Sequence, residues 1–167
     1  MMGQYHYVCN LDRREFLHPH RFGDGLKLKE FGGSGGGTMA ALAGLLSTSN
    51  GRGGGDLFAD QDWLREVRIS QDQLEDEILG RWAGDRLAII GDYHDEGDLQ
   101  NWGTAVTEDG AGGIALRPGG PWGPDGFLWT DISFFGLIVL GLDETSREGA
   151  RAALGTPEGQ ALRGLIS

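Results

Sequence analysis

The sequence predicts an α+β fold: a single compact, loop-rich domain with a mixed or antiparallel sheet and a few short helices. Three observations carry this. Strand-like and helix-like segments follow one another without regular alternation, which argues against a doubly wound sheet. The stretch Gly80–Asp98, GRWAGDRLAIIGDYHDEGD, holds a short apolar run, Leu87 to Ile90, between two charged, glycine-containing turns. Such a run is too short for a buried helix and reads as a strand. Glycine makes up 31 of the 167 residues, against roughly 7% in average proteins. No Gly-x-y period runs through it, and five Trp and seven Phe are available for a core. Many tight turns around a packed interior fit better than collagen or disorder.

Taken in order, Tyr5 to Cys9 is rich in strand formers, with Tyr5, Tyr7 and Cys9 on one face and His6 and Val8 on the other. Asn10 to Arg14 reads as a turn and Glu15 to Leu17 as the return of a hairpin. Pro19 holds His18 in an extended or turn conformation. Phe22 to Gly25 is a second turn, and Leu26 to Phe31 alternates Leu and Lys like a strand. The glycine loop Gly32 to Gly37 then leads into Met39 to Leu46, a helix with Thr38 as N-cap. Residues 47–56 and 110–126 are expected to be mobile glycine-rich loops. Trp63, Leu64, Val67, Leu74 and Ile78 fall at helical spacings, with Ser70 capping a second short helix. Leu87 to Ile90 is apolar at every position, which predicts burial on both faces and hence a central strand. Ile114 to Leu116 and Phe127 to Trp129 read as strands. Ile132 to Leu142 fits either a strand or a buried helix, because periodicity does not separate the two. Ser146 and Thr156-Pro157-Glu158 are expected to cap one or two helices over 146–166.

The formal charge of −11 disfavours a nucleic-acid backbone, which needs clustered Lys and Arg, and equally an anionic membrane surface. The longest nearly apolar run, Phe134 to Leu142, falls far short of the ~20 residues of a membrane span. A single cysteine, Cys9, excludes an intramolecular disulfide and is expected in the core. No secretory leader pattern is visible, so a cytoplasmic address is expected.

Strand, glycine loop and helix form the layout of a phosphate cradle. Backbone N–H groups at Gly35, Gly36, Gly37 and Thr38 would face an anion at the helix start, although the lysine of the P-loop pattern is missing. A plain packed turn is the competing reading. Asp92, His94, Asp95, Glu96 and Asp98 offer ligands for a hard divalent cation, magnesium or calcium, or form a solvated acidic turn. The calcium-loop pattern breaks at Gly103, where the bidentate glutamate belongs. Asp85, Asp92 and His94 are the candidates for a catalytic carboxylate or base. His18 and His20 straddle Pro19 and, with Asp24 or Asp92, would make a two-histidine, one-carboxylate site; a polar corner is the alternative. Trp102, Trp122 and Trp129 sit in or beside glycine loops, where tryptophan either anchors a partner or fills a core.

The segment from Met2 to Gly32, MGQYHYVCNLDRREFLHPHRFGDGLKLKEFG, and the segment from Gly80 to Gly97, GRWAGDRLAIIGDYHDEG, resemble a family of small uncharacterised microbial proteins. Its members share an MGQY…NLD start and a WAGDR…GDY segment. The resemblance covers under half of the chain, implies Met2 as the natural start and implies no activity.

Two functional expectations follow. In the first, the chain is a non-catalytic interaction or assembly domain, engaging a protein partner or copies of itself through Trp-bearing loops. In the second, it binds a phosphate-bearing small molecule, with or without metal-assisted hydrolysis. Loop 32–38 would hold the phosphate and segment 92–98 the metal.

Overall fold

The computed structural model describes residues 5–33, 37–49, 57, 60–91, 106–107, 114–115, 122–123, 126–127 and 129–166. In chain order the elements are β1 (His6–Asn10), β2 (Glu15–Leu17), a 3-10 turn (Pro19–Phe22), α1 (Leu28–Gly32), α2 (Thr38–Leu46), α3 (Gln61–Val67) and α4 (Gln71–Gln73). A π-helical turn, Leu74–Ile78, extends α4. Then follow β3 (Leu87–Gly91), the short strands β4 (Val106–Thr107), β5 (Ile114–Ala115), β6 (Trp122–Gly123), β7 (Gly126–Phe127) and β8 (Thr130–Asp131), and the helices α5 (Ser133–Gly141), α6 (Glu144–Leu154) and α7 (Pro157–Ile166). Most of the two expected mobile loops lies outside the described residues.

The expected hairpin forms. Asn10 builds its turn by accepting the N–H groups of Asp12 and Arg13 on its side-chain oxygen at 3.0 and 2.8 Å, an Asx-type turn. β1 pairs antiparallel with β2 on one side and with β3 on the other, while β2 pairs parallel with β8. The result is a mixed four-stranded sheet in the order β3-β1-β2-β8.

This order corrects one expectation. Leu87 to Ile90 is a strand, but it lies at the end of this sheet and β1 is central. Ile90 is buried, whereas Ile89 is 43% exposed. Ile89 lies opposite Val8 in the register, so the two share a face; helices cover Val8 and leave Ile89 in solvent. An all-apolar run records tolerance of burial and does not say which neighbours arrive.

The two faces of the sheet belong to two cores. Tyr7, Cys9, Phe16 and Ile90 pack with Leu26 and Trp129. Val8 and Leu17 join the larger core under the helices. The hub of that core is α5, buried at every position. The segment 132–142 is therefore helical, and SFFGLIVLG is apolar all round because it is surrounded, not amphipathic. α2 crosses α5 closely at Gly44, where a β-carbon would meet the Val139 side chain. At Gly141 a β-carbon would collide with the Trp63 indole, whose Nε1–H donates to the Ile138 carbonyl at 2.9 Å. α3 and its cap are tied to α6 by Arg147–Asp60 and Arg151–Glu66 pairs at 2.8 Å each.

Three local expectations change. Leu26 to Phe31 does not form a strand, because Phe31 enters the core from helix α1 while Leu28 stays exposed. Helix α6 starts at Glu144 with Asp143 as its cap, accepting from the Thr145 N–H, so Ser146 lies inside it. Thr38 is the first helical residue and not the cap. Ser70 does cap α4 in a reciprocal box with Gln73, and the Thr156 hydroxyl accepts the Gly159 N–H at the start of α7.

Candidate functional site

The expected anion cradle can be followed at Gly37 and Thr38; Gly35 and Gly36 lie outside the described residues. One Asp24 carboxylate oxygen accepts both the Thr38 N–H at 2.7 Å and the Thr38 hydroxyl at 2.8 Å. The α2 N-terminus thus already holds an anion from the chain itself, where the helix dipole favours one. A β-carbon at Gly37 would run into that carboxylate, so this glycine lets Asp24 approach. An incoming phosphate has to displace Asp24 to reach Thr38. Asp92, His94, Asp95, Glu96 and Asp98 also lie outside the described residues. Among the described residues, no three His, Cys, Asp or Glu side chains converge as metal ligands.

Asp85 works as a brace. It accepts from Asn10 Nδ2 at 2.8 Å and Arg13 Nε at 2.9 Å, tying the hairpin turn to the entrance of β3. Beside it, Asp12 accepts from the Arg86 backbone and guanidinium at 2.7 Å, and those hydrogen bonds hold its pKa below the usual carboxylate value. Cys9 is fully buried, and burial pushes its thiol far above the ordinary range, so no thiolate nucleophile forms near neutrality.

The histidines do approach one another: the His18 and His20 rings lie 5.5 Å apart. His18 also meets the Tyr7 ring edge-on at 5.3 Å. Burial, then the positive charges of Arg21 and His20, lower its pKa to about 4, so it is neutral at pH 7. The carboxylate near this corner is Asp131, since Asp24 is engaged at Thr38. Asp131 Oδ1 accepts from the Ser133 N–H at 2.9 Å and hydroxyl at 2.5 Å, and Ser133 Oγ accepts the His18 N–H at 3.0 Å. Arg21 Nε lies 3.6 Å from Asp131 Oδ2. Burial dominates and raises the Asp131 pKa. The polar-corner reading of these residues matches their bonding. Trp129, 3% exposed, fills the smaller core, whereas Trp102 lies outside the described residues.

One recess among the described residues has no counterpart among the expected sites. It is a cleft of about 580 Å3 where α3, α6 and α7 meet, with Arg68, Arg151 and Arg163 around Val67, Phe134 and Leu154. Arg163 lies over the Phe134 ring, 5.7 Å from its centroid. Its Nη2 reaches the Arg68 carbonyl at 3.4 Å. Arg151 is held by Glu66 and Glu148, each at 2.8 Å. The sequence signal for this site is faint: three arginines spread over 96 positions, from Arg68 to Arg163, in an acidic chain.

No protein-family model matches the chain, and neither a curated protein nor a solved structure is significantly similar to it. Among the described residues, no helix is long and apolar enough to cross a membrane. The site is therefore read from its own chemistry.

Proposed function

We propose that this chain is a non-catalytic interaction domain that assembles with a second copy of itself through the outer edge of β3. The observation carrying this is Ile89, 43% exposed on a five-residue apolar strand at the end of the sheet. Edge strands are ordinarily blunted by lysine, proline, a bulge or short length. β3 carries no charge and no proline, and Arg86, just before it, is turned to Asp12. The opposite edge, β8, has two residues and runs almost directly into α5. Two copies of β3 related by a two-fold axis would extend the sheet and shelter Ile89 against its mate. The internal bonding of Asp85, Thr38 and Cys9 supports a non-catalytic role for those residues.

Light scattering coupled to size exclusion tests the proposal, comparing the wild type with Ile89→Lys. The expected result is a concentration-dependent dimer that Ile89→Lys abolishes, with thermal stability unchanged at dilutions where the wild type is monomeric. A wild-type monomer up to about 1 mM, where pairing contributes under about 4 kcal/mol, removes this reading.

A further inference from the structure

We propose that the cleft between α3, α6 and α7 is a binding site for a small organic anion, a carboxylate or phosphate group carried on an apolar body. The inference goes beyond sheet pairing and concerns a different surface. The cleft's size, about 580 Å3, falls in the range of small-molecule sites. Its lining combines apolar residues, Val67, Phe134 and Leu154, with three arginines, Arg68, Arg151 and Arg163.

Charge decides which ligand fits. The chain carries −11 overall, yet here arginines outnumber acids. Arg151 is neutralised by Glu66 and Glu148. Among the described residues no carboxylate pairs with Arg68 or Arg163, and Arg163 Nη2 bonds the Arg68 carbonyl. Arginine near a helix C-terminus is ordinary, because it balances the negative end of the dipole. Two such ends, of α3 and α6, border this cleft. Each amounts to about half a negative charge, and the first turn of α7, with Gly159 and Gln160 in the lining, contributes about half a positive one. With one carboxylate left over from the Arg151 pairs, the cleft is close to neutral in sum, and what it lacks is a carboxylate placed at Arg68 or Arg163.

Geometry restricts the choice further. A guanidinium presents a planar fork that matches the two oxygens of a carboxylate or phosphate. Arg163 is steadied by the Phe134 ring and by the Arg68 carbonyl, which holds its fork at the mouth of an apolar recess. A bare inorganic anion would leave that apolar surface unused, and a neutral aromatic would leave the guanidiniums unpaired.

Isothermal titration at low salt tests this, with phenyl phosphate and phenylacetate as probes and inorganic phosphate and benzyl alcohol as comparators. At least one aromatic anion is expected to bind ten or more times more tightly than either comparator. Which of the two binds more tightly identifies the headgroup. Arg163→Gln and Arg68→Gln, on different elements, are each expected to weaken that binding at least tenfold, in line with charge-assisted hydrogen bonds. Arg65→Gln, an exposed arginine of α3 paired with Asp62, should leave it unchanged and so controls for net charge. Binding of both aromatic anions no tighter than that of the comparators overturns the proposal, as does a loss smaller than tenfold in both cleft variants.

Discussion

Two adjacent phenylalanines at the start of α5 each carry a guanidinium, and their surroundings differ. Arg81 lies over the Phe135 ring at 5.1 Å and makes a forked contact with Glu15, its Nη2 at 2.6 Å and Nε at 3.0 Å. Glu15 is buried and also accepts the Trp82 indole N–H at 2.9 Å. Arg163 lies over Phe134 at 5.7 Å with no described carboxylate in reach. The first arrangement is closed, with charge, ring and partner supplied by one chain. The second has the same charge and the same kind of ring, and its missing member is an anion. The α2 N-terminus is closed in the same sense, with Asp24 in the seat that a phosphate would take.

The comparison can be broken at its closed end first. Arg81→Met strands the buried Glu15 carboxylate and should cost about 3 kcal/mol or more in urea unfolding. A loss under about 1 kcal/mol would mean that Glu15 is satisfied without Arg81, and the contrast with Arg163 would lose its basis.

Acid should act on the closed interior by a comparable amount. His18 has its pKa lowered from 6.5 to about 4, so the unfolded chain takes up the proton first. Stability from this group is complete above pH 6.5 and falls as pH drops towards 4, by on the order of 3 kcal/mol. Asp131, whose pKa burial raises, works in the opposite direction, since its stability contribution falls as pH rises through its folded value. Tyr7, His20 and Arg21 are the other groups facing His18. Unfolding measured from pH 7 to pH 4 in wild type and His18→Phe checks this, and equal slopes would remove His18 as the cause.

Asp24→Ala comes next, at about 2 kcal/mol, because it leaves the Thr38 N–H and hydroxyl without their acceptor. Millimolar inorganic phosphate should restore part of that stability by entering the vacated seat, and should do nothing for the wild type. The smallest effect belongs to the open end. Arg68→Gln should change stability by no more than about 0.5 kcal/mol. A larger loss would show that Arg68 is part of the fold's own bonding rather than a free arm of the cleft.

Legibility tracked the range of the interaction. The hairpin, the Ser70 box, the α2 helix and the two C-terminal helices depend on residues a few positions apart, and each could be read along the chain. Strand burial depends on neighbours. Leu87 to Ile90 displays its apolar run plainly, but among the described strands β1 alone arrives beside it, which puts it at the end of the sheet. The glycine loop read as an anion cradle or a packed turn, whereas Asp24, the group that approaches Thr38, could not be assigned there from sequence. Arg68, Arg151 and Arg163 escaped attention because no local pattern joins them; the turn between α6 and α7 and the end of α3 bring them together.

By itself the sequence determined the fold class, the apolar inventory of α5, the turn over Asn10 to Arg14, the cap at Ser70 and the acid excess. Hydrogen-bond periodicity and turn preference act over a few residues, so these properties travel with the local sequence. Only the tertiary structure decided which carboxylate closes which positive seat. Asp24 at Thr38, Glu15 at Arg81 and the cleft in which no described carboxylate pairs with Arg68 or Arg163 are settled by long-range packing, because a charge interacts with whatever the fold brings within a few ångströms and not only with its sequence neighbours.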